Sequence, residues 1–213
     1  MSHYREKFKE LKPSEISYNL QDKTLIIRGN NFPVDNPKLA FIEAMEEFYE
    51  KNTYETLKTG TQIHIDTIIG DNVGIGCNCT IGGFGFGYEK VDGHLKRMPH
   101  HGHVVIEDFV TIHNNVNIDR AVKDATVIGK GSAIDSHVHI GHNAKIGSNT
   151  LIAANSSIGG SAVIGNNVFI GCNVFVKQKV RIGDNAVIGA GSVVLKDVPA
   201  GETWVGNPAV KIK

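Results

Sequence analysis

A six-residue repeat between Ile128 and Val194 constrains the fold more than any other feature of this sequence. Every sixth residue is aliphatic and β-branched, and the residue four places later is small or β-branched. The first set is Ile128, Ile134, Ile140, Ile146, Ile152, Ile158, Ile164, Ile170, Val176, Ile182, Ile188 and Val194. The second set is Ser132, Val138, Ala144, Thr150, Ser156, Ala162, Val168, Val174, Val180, Ala186 and Ser192. This period is typical of a parallel β-helix, in which both positions point inward. It does not fit an amphipathic α-helix, whose apolar residues recur about every 3.6 positions.

The repeat begins earlier, at Ile63, and is interrupted twice. The first interruption covers residues 83–104 and opens with Gly83-Phe84-Gly85-Phe86-Gly87. A loop of this length in a compact protein is either functional or disordered, so we predict an extruded loop. Its polar and aromatic residues are Tyr88, Lys90, His94, Lys96, Arg97, His100, His101 and His103. The second interruption extrudes four residues around Arg120 to Ala125, because Ile118 and Ile128 are ten residues apart.

Residues 1–57 lack the repeat and predict a small N-terminal α/β cap. A short helix is expected at Tyr4–Leu11 and a strand at Lys23–Arg28. A second helix is expected to begin at Asp35-Asn36-Pro37, where a capping residue precedes a first-turn proline. The apolar residues that follow at helical spacing are Leu39, Phe41, Ile42, Met45, Phe48 and Tyr49. The predicted organisation is a cap at 1–57, an all-β helix at 58–198 and a C-terminal tail at 199–213.

Composition excludes several classes of function. The formal net charge is zero, and no basic stripe indicates a nucleic-acid partner. No apolar segment is long enough to predict a membrane span, and the charged N-terminus lacks the apolar core of a signal peptide. The three cysteines, Cys77, Cys79 and Cys172, form an odd set. Together these features predict a cytoplasmic protein with free thiols.

The repeat also places the histidines, and one of them stands out. His64, His113, His137, His139 and His142 all lie outside the inward positions. If three hexapeptides form one coil, Arg120, His142 and Gly160 stack in one column, about 4.8 Å apart. A glycine beside a histidine leaves room for a ligand and offers a backbone N–H, which is the arrangement of a general base next to an oxyanion donor. Asp135, on the preceding hexapeptide, is a candidate to orient the imidazole.

Four stretches of this sequence resemble a known enzyme family. They are Val34-Asp35-Asn36-Pro37-Lys38-Leu39-Ala40-Phe41, Gly83-Phe84-Gly85-Phe86, Ile118-Asp119-Arg120-Ala121, and Ile134-Asp135-Ser136-His137-Val138-His139-Ile140-Gly141-His142-Asn143. The hexapeptide run is similar to the left-handed β-helix acyltransferases, and these stretches to UDP-3-O-acylglucosamine N-acyltransferase. The resemblance implies a left-handed β-helix, a homotrimer with sites between subunits, and an acyl-CoA or acyl carrier protein donor. It also implies that His142 is the catalytic base, that Asp135 and Asn143 support it, and that the Gly160 N–H lines the oxyanion hole.

The ends of the sequence depart from that family. The cap is about half the length of the family's uridine-binding domain, and the helices that receive the carrier protein are missing. Residues 188–209 resemble instead the ending of small sugar acetyltransferases that use acetyl-CoA. The sequence therefore predicts an N-acetyltransferase that moves acetyl from acetyl-CoA to the amine of a nucleotide-linked amino-deoxy sugar. Gly160, Lys179 and Lys196 are its candidate donor-binding residues.

The acceptor sugar is expected to contact the extruded loop and the residue that precedes His142 in its column. The candidate substrate-binding residues are Phe84, Phe86, Arg97 and Arg120. Three alternatives stay open: transfer of a long acyl chain to a lipid A type precursor, a metal hydratase similar to the γ-class carbonic anhydrases, and a non-catalytic scaffold. The hydratase would use His101, His137 and His142, but its histidine pattern requires a histidine at Gly147, so no metal is expected.

Overall fold

The computed structural model describes residues 16–42 and 60–213. The chain divides into two compact units, Met1–Thr56 and Leu57–Lys213. Each unit has a hydrophobic core of its own. The predicted helix at Tyr4–Leu11 lies outside the described residues, as do Met45, Phe48 and Tyr49 of the predicted apolar stripe.

The first unit contains a three-stranded antiparallel sheet. Its strands are Ile16–Asn19, Thr24–Ile27 and Asn30–Pro33. The second and third strands are joined by Arg28-Gly29, whose φ angles of 48° and 77° match the left-handed pair of a two-residue hairpin turn. The strand predicted at Lys23–Arg28 is therefore present, shorter by one residue at each end.

Residues 37–42, which follow the sheet, are helical, and the helix begins where the sequence predicts. The Asn36 side-chain oxygen accepts a hydrogen bond from the Leu39 N–H at 3.1 Å, which is the N-cap bond that an asparagine supplies. Pro37 takes the first helical position, where no N–H is needed. The Phe41 ring lies 5.1 Å from that of Tyr18 and closes the small core of this unit.

The second unit is a parallel β-helix in which a coil contributes one strand to each of three sheets. The predicted left-handed all-β fold is confirmed. The first sheet contains Gln62–Ile63, Thr80–Gly83, Asn117–Asp119, His139–Ile140, Ser157–Ile158, Phe175–Val176 and Val193–Val194. The second contains Ile68–Ile69, His103–Ile106, Ala125–Ile128, Lys145–Ile146, Val163–Ile164 and Arg181–Ile182. The third contains Gly74–Ile75, Thr111–Ile112, Ala133–Ile134, Leu151–Ile152, Phe169–Ile170, Val187–Ile188, Thr203–Val205 and Val210–Lys211.

The interior of the β-helix follows the sequence repeat. All twelve aliphatic positions from Ile128 to Val194 are at most 2% exposed, and all eleven positions four residues later are at most 5% exposed. Buried hydroxyls among the latter are satisfied by the adjacent backbone. The Thr150 hydroxyl donates to the Gly165 carbonyl at 2.8 Å and accepts from the Val168 N–H at 3.2 Å. The interior therefore holds polar side chains without leaving their hydrogen-bonding groups unpaired.

Backbone requirements explain the other two recurring residue types. The third residue after each interior aliphatic adopts a left-handed conformation at most corners, with φ from 53° to 65° between His137 and Asn185, and most of these residues are asparagine. The residue directly after the aliphatic one is often glycine because the next coil passes close to it. A Cβ on Gly147 would lie 2.5 Å from the Gly165 carbonyl carbon.

The predicted boundary between the β-helix and a C-terminal tail at residue 198 is too early. Thr203–Val205 adds a parallel strand to the third sheet, next to Val187–Ile188. Trp204, which pairs with Ile188, is only 6% exposed and fills the interior position of that coil. A large aromatic residue thus closes the end of the core where the six-residue spacing is lost.

The extruded loop at 83–104 is present and contains a β-hairpin. Tyr88–Val91 pairs antiparallel with His94–Arg97. Asp92 and Gly93 form the turn with φ angles of 49° and 82°. After the hairpin the chain returns beside the second extrusion, where the Gly102 N–H donates to the Ala121 carbonyl at 3.0 Å. The two interruptions of the repeat are therefore neighbours.

Candidate active site

His142 lies two residues after the first-sheet strand His139–Ile140, at the corner that leads to the second sheet. Its side chain is half-buried and lies against Gly160 of the following coil. A Cβ built on Gly160 would be 2.7 Å from the imidazole Nε2. The register that pairs Ile118 with Ile140, and Ile140 with Ile158, stacks Arg120, His142 and Gly160 as the sequence predicts.

Asn143 determines which imidazole nitrogen carries the proton. Its Oδ1 accepts from the Val122 N–H and its Nδ2 donates to the Lys123 carbonyl, both at 2.9 Å. These two bonds fix the orientation of the amide. The same Oδ1 lies 3.2 Å from Nδ1 of His142, so Nδ1 must be the donor. The neutral imidazole therefore presents an unprotonated Nε2 toward Gly160.

The backbone beside that nitrogen offers a hydrogen-bond donor. Within the described residues, the Gly160 N–H has no acceptor, whereas the next N–H in the chain, that of Ser161, donates to the His142 carbonyl at 2.8 Å. A Cβ on Gly141 would lie 2.7 Å from the Gly160 nitrogen. Glycine at both positions keeps this N–H open beside the imidazole.

Asp135 does not orient the imidazole, so that prediction is wrong. Its carboxylate accepts from the Ser136 N–H at 2.7 Å and lies 3.8 Å from Nδ1 of His113. The physical reason is the coil geometry. Asp135 follows a third-sheet strand, whereas His142 follows a first-sheet strand, so consecutive hexapeptides place them at different corners.

The carboxylate in this region is Asp119, which the sequence-based site did not include. It lies 3.6 Å from Nε2 of His139, and its side chain is 13% exposed. Burial raises the pKa of Asp119 above its usual range, while His139, His142 and His100 oppose the rise. The register shifts between Ile118 and Asp119, so the carboxylate sits where most coils have glycine. The sequence signal that could have identified Asp119 is an aspartate at this usual glycine position, one coil before His142.

The predicted substrate-binding residues of the loop form one cluster around Phe84. The guanidinium carbon of Arg97 is 4.5 Å from the ring centroid of Phe84, and that of Arg120 is 4.7 Å away. Arg120 is buried, and its Nε donates to the Gly82 carbonyl at 2.8 Å. Phe86 is 89% exposed and contacts only Tyr88 among the described rings, edge to face at 5.1 Å.

The two predicted donor-binding lysines lie further along the β-helix. Lys196 occupies the His142 column three coils later, and about 4.8 Å per coil places it about 14 Å away. Its Nζ is 5.3 Å from the centroid of the Trp204 ring. Lys179 is an exposed corner residue with a φ of 65°, two coils after Asn143.

The described residues contain neither a group of metal-ligating side chains nor a membrane-spanning helix. Over residues 16–42 and 60–213, no three histidine, cysteine, aspartate or glutamate side chains are close enough to share a metal ion. The set His101, His137 and His142 is thus not assembled within one chain. In the same residues, no helix is long and apolar enough to cross a membrane.

Comparison with known proteins identifies the repeat and several relatives. The family model described as bacterial transferase hexapeptide (six repeats) matches residues 125–160 and 161–196. UDP-3-O-acylglucosamine N-acyltransferase of Caulobacter sp. (strain K31) is 42% identical over 146 residues, which are 68% of this chain and 43% of that protein. The enzyme of the same name from Rhizobium meliloti is 44% identical over 155 residues, 72% of this chain and 44% of that protein. The chain therefore spans less than half of the length of these curated relatives.

Solved structures agree on the architecture. The crystal structure of UDP-N-acetylglucosamine O-acyltransferase from Moraxella catarrhalis is 29% identical, with a TM-score of 0.66. The match covers 71% of this chain and 58% of that chain. This similarity concerns the fold. The two curated relatives described above are in addition named for an N-acyltransferase reaction.

Proposed function

This chain belongs to the hexapeptide-repeat family of left-handed β-helix proteins, and from this premise we propose that it is an N-acyltransferase. Its acceptor is the amine of a nucleotide-linked glucosamine, as in the relatives named UDP-3-O-acylglucosamine N-acyltransferase. Its donor is an acyl thioester. One observation carries the proposal: Nε2 of His142, the nitrogen without the proton, lies against Gly160, whose backbone N–H is unpaired.

That pair of groups suits acyl transfer to an amine. The His142 Nε2 takes a proton from the acceptor nitrogen as the nitrogen attacks the thioester carbon. The new C–N bond converts the carbonyl oxygen to an oxyanion, which the Gly160 N–H stabilises. When the C–S bond breaks, the imidazolium returns the proton to the leaving thiolate. The products are an amide and a free thiol, so no further reactant is needed.

The identity of the acyl chain is the point on which the comparisons alter the sequence-based prediction. Acetyl transfer from acetyl-CoA rested on the ending of the chain, whereas the relatives at 42% and 44% identity are named for an acylated glucosamine acceptor. We therefore favour the alternative, a longer acyl group transferred to a lipid A type precursor, over acetylation. In either case the thioester arm would follow the column from His142 toward Lys196, with Lys179 beside it.

The acceptor would lie on the opposite side, against the extruded loop. Arg97 of the loop and Arg120, one coil before His142, place their guanidinium carbons 4.5 and 4.7 Å from the centroid of the Phe84 ring. Guanidinium groups bind phosphate oxygens in bidentate geometry. We propose that Arg97 contacts the nucleotide diphosphate, that Arg120 holds Phe84 in place, and that exposed Phe86 packs on the acceptor.

The test is thiol release from three donors: acetyl-CoA, a long-chain acyl-CoA and an acyl carrier protein. Each donor is combined with UDP-3-O-acylglucosamine and, as a hydroxyl-bearing control, UDP-N-acetylglucosamine. We expect turnover with the amine acceptor and a longer acyl donor. His142→Ala should lower kcat by about 10²–10⁴-fold, the usual contribution of a positioned base. Inertness of every combination, or a mutant as active as the wild type, would contradict the proposal.

A further inference from the structure

His100 lies on the return segment of the extruded loop and is almost fully enclosed. Its side chain is only 3% exposed, although the residues on either side of the loop hairpin are largely open to solvent. Its Nδ1 lies 2.9 Å from the Met98 carbonyl. A carbonyl can only accept, so Nδ1 carries the hydrogen, and the neutral ring has its lone pair on Nε2.

That Nε2 has no hydrogen-bond partner and is closed off from solvent. Buried polar atoms are nearly always paired, and the exceptions call for an explanation in strain or function. Only one other buried side-chain atom in the described part of the chain, Oγ1 of Thr67, is unpaired in this way. An imidazole acceptor is thus left unpaired deep inside the protein.

The unpaired nitrogen lies close to His142, the proposed base. The rings of His100 and His142 are 5.3 Å apart and meet edge to face at 74°. Both rings border the same space above Gly85, where a Cβ would lie 2.7 Å from Nε2 of His100 and 3.0 Å from Cβ of His142. Asp119 is near enough for both imidazoles to lower the pKa of its carboxyl group, against the larger effect of burial. Glycine in the Gly-Phe-Gly-Phe segment is what allows this contact.

We propose that His100 is a positioning residue that packs against the His142 ring and holds an unpaired acceptor nitrogen beside it. This inference rests on the proposed function. An imidazole with its N–H bonded to the Met98 carbonyl and an unpaired acceptor nitrogen beside His142 stabilises the imidazolium that forms as the acceptor loses its proton. Its effect is greatest in the transition state, so it acts on kcat and not on substrate binding.

Two substitutions of His100 distinguish the role of its Nε2 acceptor from that of the Nδ1 hydrogen bond to the Met98 carbonyl. In His100→Gln, the amide oxygen takes the place of Nε2 and remains an acceptor, but the Met98 bond is lost. In His100→Asn, the amide N–H takes the place of Nδ1 and keeps that bond, but the acceptor near His142 is lost. We expect His100→Gln to retain kcat within about threefold, and His100→Asn to lose on the order of tenfold at unchanged KM. The exposed neighbour His101 serves as control, and His101→Asn should match the wild type.

A measurement without substrate tests the geometry separately. Nitrogen-15 NMR of histidine-labelled protein should show His100 as the Nδ1–H tautomer with an unprotonated Nε2. Protonation of Nε2, or equal kcat in the Gln and Asn variants, overturns the inference. Because the NMR result does not depend on turnover, it decides the state of His100 even if no acyl transfer is found and the proposed function fails.

Discussion

His142 owes its basic nitrogen to an amide side chain and not to a carboxylate. Asn143 is held by two backbone bonds to the second extrusion, and its oxygen therefore reaches only a protonated Nδ1. The four extra residues between Ile118 and Ile128 thus have a chemical consequence, since they supply the groups that orient the amide. Through Asn143, the insertion in the repeat therefore determines which imidazole nitrogen of His142 carries the hydrogen.

Gly160 offers a sharp test of the contact beneath the imidazole. A methyl group there would lie 2.7 Å from the His142 Nε2, too close for the ring to keep its position. We expect Gly160→Ala to lower kcat by about 10²-fold, because the proposed base moves and the proposed oxyanion donor is covered. Gly74→Ala is the matched control, since a Cβ on Gly74 meets nothing within 4 Å. Similar losses in both variants would point to a general effect on folding.

The buried Asp119 carboxylate is expected to lower the stability of the folded protein at neutral pH. Burial raises its pKa above the ordinary value of 3.8, so the folded state holds the proton more tightly than the unfolded state. Stability from this group is therefore present at low pH and is lost as pH rises through the folded pKa. Asp119→Asn should melt at a higher temperature than the wild type at pH 7, and the difference should disappear as pH falls toward 3.8.

Thermal unfolding followed by circular dichroism at several pH values measures this effect. Asp135→Asn is the control, because the Asp135 side chain is 47% exposed and its charge remains solvated. A lower melting temperature for Asp119→Asn at pH 7 would mean that attraction to His139 outweighs the cost of burial.

At the scale of strands and corners, the sequence specified the fold well because each hexapeptide repeats the same packing problem. The interior positions from Ile128 to Val194 could be assigned from spacing alone, and all are buried. Spacing alone could not predict which side chains at different corners of the β-helix come into contact. Asp135 was assigned to His142 from adjacency along the chain, although consecutive hexapeptides face different directions. The sequence does contain a signal for the loop hairpin, since Asp92-Gly93 is a typical two-residue turn between paired strands.

The buried hydroxyls predict where the β-helix is sensitive to isosteric change. Thr150→Val preserves shape but leaves the Gly165 carbonyl and the Val168 N–H without the hydroxyl that bonds both. We expect a loss of about 1–3 kcal/mol in the free energy of unfolding, measured by denaturant titration. Ser157→Ala, on the outward face of a first-sheet strand, should change stability little. An unaffected Thr150→Val protein would show that these bonds add nothing to the core.

The left-handed backbone conformation at the corner residue Lys179 predicts that an asparagine there would stabilise the fold. Its φ of 65° is costly for a lysine, whereas asparagine occupies most equivalent corners. We expect Lys179→Asn to stabilise the fold by about 1 kcal/mol, and to raise KM for the acyl donor if the lysine contacts it. The reverse change at an equivalent exposed corner, Asn173→Lys, should destabilise by a similar amount. A stability loss in Lys179→Asn would contradict the backbone argument.

At the scale of the whole molecule, an apolar stripe indicates self-association. Leu151, Phe169 and Val187 are paired in register on the outer face of the third sheet, and they are 48%, 44% and 36% exposed. Contiguous exposed apolar residues in a folded protein mark an interaction surface. Together with the homotrimer that the family resemblance implies, this leads us to propose that three copies meet along the stripe.

Light scattering coupled to size-exclusion chromatography should then give the mass of a trimer. Phe169→Asp places a charge in the centre of the stripe, where it would be desolvated without a partner, and should shift the protein toward the monomer. Leu95→Asp, at a 74% exposed position of the loop hairpin, makes the same chemical change elsewhere and should leave the mass unaltered. If the site requires a second subunit, acyl transfer should fall together with the trimer fraction in Phe169→Asp and rise again with protein concentration. A monomeric wild type, or a trimer that survives Phe169→Asp, would remove the stripe as the interface.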